Sequence, residues 1–173
     1  MHVNLLSLII LTCVTLQRLF ELVHARGNET RLRARGAVEF GQRHYPAIVA
    51  LHASWLAGLW LLASNRPADL RWLACYIVLQ LLRAWVLLTL RERWTTRILV
   101  LPGAPPVRSG PYRLVAHPNY VVVIGEILVL PLVFGLYWYA AAFSVLNGAV
   151  LAVRITAENA ALRANAVLPD AAG

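Results

Sequence analysis

The chain has 173 residues, enough for one domain, of which 60% are hydrophobic and only 14% charged. The apolar residues fall in long blocks, which excludes an ordinary soluble globule and points to a multi-spanning membrane protein. The net charge of +8 is carried by arginine with no lysine. Those arginines cluster between the apolar blocks, so membrane orientation accounts for them and nucleic acid is not expected as a partner. Cys13 and Cys75 each lie alone within an apolar block, which argues against a disulfide framework and against a metal site.

Five spans fit the apolar pattern. The first, about residues 3–23, lacks a basic start and a small-residue cleavage site, so it reads as a retained span rather than a removed signal peptide. The others are about 46–64, 68–90, 119–134 and 137–153. The fourth is short, and Pro131 is expected to kink it; Gly135 allows the last two to form a tight helical hairpin. Residues 154–166 still read as helix, projecting beyond the membrane.

Orientation follows from the arginines. Arg26, Arg31, Arg33, Arg35 and Arg43 follow the first span, and Arg91, Arg93, Arg97, Arg108 and Arg113 follow the third. Arg154 and Arg163 lie in the tail, whereas the opposite side offers only Arg66 and Arg71. The positive-inside rule therefore puts the N-terminus outside, and both basic loops and the C-terminus in the cytoplasm. The segment 91–116 is rich in proline and glycine and longer than a usual helix–helix connection. It reads either as a connector or, preferably, as a lid or binding loop.

The stretch G-P-Y-R-L-V-A-H-P-N-Y-V-V-V-I-G-E, residues 110–126, begins as a polar turn and ends as a hydrophobic helix. Pro118 suits a first helical turn, because the N–H it lacks would be unpaired there. His117 then sits at the water-side mouth of a membrane helix, where a soluble cofactor can meet a lipid-soluble substrate. The plainer reading is a junction whose histidine only caps the helix.

At a rise of about 1.5 Å per residue, Arg18, His52, Arg83, Glu126 and Asn147 each lie about 9–10 Å from the cytoplasmic end of their span. Every span thus places one polar group in a common layer. Arg83 and Glu126 are expected to be neighbours, since each needs an opposite charge at that depth, and Arg18 can pair with Glu21 on one helix face. The layer is either a structural network or the floor of a cytoplasm-facing cavity. Asn147, Arg154 and Glu158 share a face of the last helix, as a surface pair or as a pocket wall.

The run Gly110-Pro111-Tyr112 through His117-Pro118-Asn119-Tyr120, with the later Arg154-Ile155-Thr156-Ala157-Glu158, resembles the isoprenylcysteine carboxyl methyltransferase family of integral membrane enzymes. The resemblance runs over nearly the whole chain. It is closer to a bacterial branch that O-methylates alkylpyrones and phenolic lipids and is associated with type III polyketide synthases. Gln17-Arg18-Leu19, Glu21-Leu22, residues 36–41, His44-Tyr45-Pro46, His52, Arg83, Trp85 and Leu101-Pro102-Gly103 carry that closer likeness. The resemblance implies an all-α integral membrane fold of about five transmembrane helices with a C-terminal helical extension. It implies a single methyltransferase domain over residues 1–173, with the cofactor part at about 91–166. It further implies S-adenosylmethionine as cofactor, held by Gly110, Tyr112, His117, Pro118, Tyr120 and Glu158. Two positions depart from the family pattern: Ala116 where arginine is usual, and Asn159 where a second glutamate is common.

Methyl transfer needs an oxygen nucleophile in line with the sulfonium methyl, and positioning with exclusion of water supplies much of the acceleration. An ionised acceptor needs no base, whereas a plain phenol needs one, for which His117 is the candidate. Arg154 is suited to orienting the acceptor, and Glu158 to the cofactor's amino or ribose hydroxyl groups. The leading expectation is an S-adenosylmethionine-dependent O-methyltransferase in the bacterial cytoplasmic membrane, with its site facing the cytoplasm. Its acceptor would be a lipid-like alkylpyrone or alkylresorcinol. The alternatives are a prenylcysteine carboxyl or phospholipid methyltransferase, an NADPH-dependent membrane reductase, and a non-catalytic membrane protein.

Overall fold

A computed structural model describes residues 4–167, with side chains to residue 164. Five α-helices follow one another: α1 (Leu5–Ala34), α2 (Tyr45–Ala63), α3 (Leu70–Leu90), α4 (Pro118–Val133) and α5 (Tyr137–Val167). Four of them are long and apolar enough to cross a membrane. The chain is an all-α integral membrane protein. Large apolar side chains such as Leu61, Leu81, Leu88 and Trp138 are exposed on the outside of the bundle, the pattern of a surface solvated by lipid. Helix α4 has 16 residues, so its length of about 24 Å falls short of a ~30 Å hydrocarbon core. It is the inner helix, packed between α3 and α5, with Glu126, Ile127 and Leu130 buried.

The expected spans lie close to these helices, although position 3 is outside the described residues. One departure matters. Helix α1 does not stop near residue 23 but runs on to Ala34, so Arg26, Arg31 and Arg33 belong to helix and not to a loop. Its 30 residues reach about 45 Å. Tertiary contact holds the extra turns: buried Asn28 donates to the carbonyl oxygens of Arg91 and Trp94, at 3.0 and 2.8 Å. Pro131 lies within the last turn of α4 and leaves the carbonyl of Ile127 without its helical donor. Gly135, with φ of 68°, then reverses the chain into α5.

The segment 91–116 holds an element that the sequence pattern did not disclose. Strand β2 (Ile98–Val100) pairs antiparallel with strand β1 (Val38–Phe40), in the register Val38↔Val100, Glu39↔Leu99 and Phe40↔Ile98. Ile98 and Val100 point to one face and pack with Ala157 and Ala161 of α5. The ribbon therefore ties the segment after α1 to the segment after α3 and docks both on the projecting end of α5.

Inside the bundle three residues of the expected polar layer, Arg18, Arg83 and Glu126, join Glu21 in a network of four charges, while His52 pairs with the Ile48 carbonyl and Asn147 is buried on α5. Arg83 donates to both carboxylate oxygens of Glu126, with Nε–Oε1 at 2.7 Å. Its Nη1 lies 3.1 Å from Glu21. Arg18 pairs with Glu21 and with Glu126, each at 2.8 Å. Gln17 and Gln80 extend the chain of hydrogen bonds, Gln80 donating to Glu126 at 2.8 Å. Two guanidinium groups thus face two carboxylates, the pairing that buried charge at this depth requires.

Candidate active site

At the basic end of the bundle, α4 begins at the mouth of a cavity. His117 is the N-cap residue and Pro118 the first helical residue, as the sequence pattern suggested. The carbonyl of His117 accepts from the backbone N–H of Tyr120 at 3.1 Å, which holds the first turn and aims the Tyr120 ring toward α5. The His117 and Tyr120 rings stack with centroids 5.3 Å apart. His117 Nε2 donates to Oδ1 of Asn159 at 3.1 Å, so the residue that departs from the family pattern fixes the imidazole. Among the described residues Asn159 is a site residue that sequence reasoning treated only as a loss.

Three polar side chains form the core of the site. The Tyr120 hydroxyl donates to Oε2 of Glu158 and accepts from Nε of Arg154 at 2.9 Å. Arg154 Nη2 donates to the carbonyl of Thr96 at 2.8 Å, so the segment before β2 orients the guanidinium. Oε1 of Glu158 lies 3.9 Å from His117 Nδ1, too far for a hydrogen bond and open to a ligand's donor.

This constellation walls a cavity of about 220 Å³ between α5 and the segment 93–107. His117, Tyr112, Tyr120, Arg154 and Glu158 all line it, as does Ala116. Gly110 and Pro118 do not; they act through the backbone. Gly110 has φ of 56°, and a Cβ there would meet Thr89 Oγ1 at 2.5 Å, so both conformation and space demand glycine. It seats the turn at Gly110–Arg113 on α3. Burial, and next the nearby Glu158 carboxylate, push the Tyr112 phenol above its ordinary range, which keeps it a hydrogen-bond donor.

A second cavity, of about 330 Å³, lies among the spans. Side chains of α1 and α2 supply most of its wall, and its polar members include Arg18, Glu21, His52, Arg83 and Arg154. Trp94, Thr95, Asn119, Tyr120 and Arg154 border both cavities. Sequence reasoning missed Trp94, Thr95 and Asn119 as a shared border. Their only signal was membership of a long loop and of the helix mouth.

A charged latch adjoins both cavities, Arg97 lining the outer one and Tyr45 and Thr96 the inner one. Glu39 of β1 receives hydrogen bonds from Arg33 and Arg97, the latter at 2.6 Å. Arg97 lies over the Tyr45 ring, 4.1 Å from its centroid, and the Tyr45 hydroxyl meets Thr96 Oγ1 at 3.0 Å. Burial would raise the Glu39 carboxyl, but the hydrogen bonds from Arg33 and Arg97 outweigh it and hold the group below the usual carboxylate range.

A cavity with polar side chains at the helix mouth thus shares border residues with a mostly apolar one within the bundle. The family model of the isoprenylcysteine carboxyl methyltransferase (ICMT) family matches residues 72–164, and the chain belongs to that family of membrane methyltransferases. It is similar to the uncharacterized protein YpbQ of Bacillus subtilis, 39% identical over 160 residues, which cover 90% of this chain and 95% of that one. It is also similar to an uncharacterized protein of Haemophilus influenzae, 27% identical over 156 residues, covering 87% and 91%. No solved structure matches the chain.

Proposed function

We propose that the chain is an S-adenosylmethionine-dependent O-methyltransferase acting on a lipid-like acceptor such as an alkylpyrone or alkylresorcinol. In this reading residues 1–173 form one domain, with the cofactor part at about 91–166. The observation that carries it is the shared border of the two cavities at Tyr120 and Arg154. The donor set suits the cofactor: a carboxylate with a free oxygen at Glu158 for amino or ribose hydroxyl groups, and the ring faces of His117 and Tyr120 for a positively charged sulfur. S-adenosylmethionine bound there supplies an electrophilic methyl group.

The chain's own residues then divide the work. Glu158, Tyr112 and His117 bind on the donor side. Arg154, held by Tyr120 and the Thr96 carbonyl, orients an acceptor oxygen at the border. The segment after α3, which walls the outer cavity, keeps water from the donor side. The basic end faces the cytoplasm of a bacterial cell, with the N-terminus outside, because arginines crowd that end. A type III polyketide synthase is the functional partner that would make such acceptors.

The test is purified full-length protein with labelled S-adenosylmethionine and a panel of alkylpyrones, alkylresorcinols and prenylcysteine analogues, with products read by mass. Methyl ethers of the ring lipids are expected. Transfer to the prenylcysteine carboxylate alone, or no binding of S-adenosylmethionine, would overturn the reading.

A further inference from the structure

His52 is a histidine of the inner cavity that the functional reading leaves without a role. It lies on the face of α2 that also carries Tyr45, Ile48, Val49 and Leu56, all of which line that cavity. Its Nδ1 is 2.9 Å from the carbonyl oxygen of Ile48. A carbonyl oxygen can only accept, so Nδ1 carries the hydrogen and Nε2 of the neutral ring keeps its lone pair.

The other polar groups around the imidazole are differently committed. Arg18 and Glu21 of α1, Arg83 of α3 and Glu126 of α4 hydrogen-bond with one another. Arg154 of α5 is held by Tyr120 and Thr96, and Tyr45 by Thr96. Thr15 and Thr95 are bonded to backbone carbonyls, so His52 and Asn119 are the neutral lining groups with an acceptor to offer a ligand, and of the two His52 lies on the α1–α2 side of the cavity. His117, by contrast, lines the outer cavity and is tied to Asn159.

We propose that the inner cavity is a site for a hydroxyl-bearing ring lipid, and that Nε2 of His52 accepts a hydrogen bond from its ring hydroxyl. The aliphatic tail lies along Leu19, Leu22, Val49 and Leu56 of α1 and α2, where Leu19 is 54% exposed on the outside of the bundle. His52 is then a specificity-determining residue. A phenol or enol donates to its lone pair, whereas an ether has no hydrogen to give it. Sites built to pair a ligand hydroxyl discriminate strongly, because an unmatched buried polar group loses its partner. The inference rests on the functional reading above for the identity of the reaction, but binding alone tests it.

Trp55 and Trp94 line the cavity, so ligand binding is read by quenching of their fluorescence in the full-length protein without cofactor. The probes are a long-chain alkylresorcinol and its dimethyl ether. The unsubstituted protein is expected to bind the resorcinol about tenfold more tightly than the ether. His52→Leu should abolish that preference, and His52→Gln, which retains an acceptor oxygen, should restore part of it. With cofactor present, His52→Leu should raise KM for the resorcinol more than it lowers kcat. A preference that persists in His52→Leu, or failure of the unsubstituted protein to bind the resorcinol, overturns the proposal. His52-dependent binding without methyl transfer would sink the functional reading and leave this site standing; undiminished methylation by His52→Leu would do the reverse.

Discussion

The Nε of Arg154 lies 2.9 Å from the hydroxyl of Tyr120, and that single contact stands where the outer and inner cavities meet. The same hydroxyl donates to Glu158. One oxygen therefore joins Glu158, which lines the outer cavity, to Arg154, which lines both.

Tyr120→Phe removes that oxygen and keeps the ring. Hydrogen bonds to charged groups contribute about 1.5–3 kcal/mol, so kcat/KM should fall by about 10- to 100-fold. Initial rates and equilibrium dialysis of S-adenosylmethionine measure the loss. The thermal midpoint should fall as well, because the same hydrogen bonds tie α4 to α5; a rate equal to that of the unsubstituted protein would show that the contact does not matter.

Arg83→Met leaves Glu126 facing Arg18 alone in a buried layer. Breaking a buried ion pair by removing one partner costs about 3–5 kcal/mol, and replacing both partners by apolar groups costs much less. Thermal unfolding in detergent should show a large drop for Arg83→Met and a smaller one for Arg83→Met combined with Glu126→Leu. Equal drops would mean that the network gains nothing from mutual pairing.

Gly110→Ala meets two obstacles, the left-handed backbone and Thr89 Oγ1 at 2.5 Å from the added Cβ. Backbone strain of this kind costs of order 1–3 kcal/mol. Adding Thr89→Ala should recover the contact part and not the backbone part. Comparing the melting of the single and double variants separates the two.

Glu39 gives the latch a pH dependence of defined sign. Its folded carboxyl titrates below the ordinary value of 4.5, so its contribution is present in full above that value and disappears as pH falls through the lower folded one. The ribbon should therefore loosen in acid. Amide exchange at Val38–Phe40 and Ile98–Val100 should quicken on acidification beyond its intrinsic pH dependence, and Glu39→Gln should exchange quickly at neutral pH as well. Exchange that is indifferent to Glu39 would remove the latch from the account.

Much of the bundle was legible in the linear pattern, because lipid imposes long apolar runs and makes each buried charge look for a partner. The Arg83–Glu126 and Arg18–Glu21 pairs, the start of α4 at Pro118 and the reversal at Gly135 all follow from such local or depth-based rules. The strands β1 and β2 are three residues each, too short for a period to register, and their pairing depends on segments about sixty positions apart. The extension of α1 to Ala34 rests on Asn28 meeting the backbone after α3, a contact with no trace in helix periodicity.

Composition, depth and charge asymmetry by themselves determined a helical membrane protein with a basic end and a polar layer, since those properties sum over residues without regard to partners. Which side chains share a wall was decided only by tertiary structure. Asn159 holding His117, Gly110 seated on Thr89 and the border of the two cavities at Tyr120 and Arg154 each need two distant segments brought within a few ångströms. Spacing along one helix places a residue on a face; only the packing of the other helices says what that face meets.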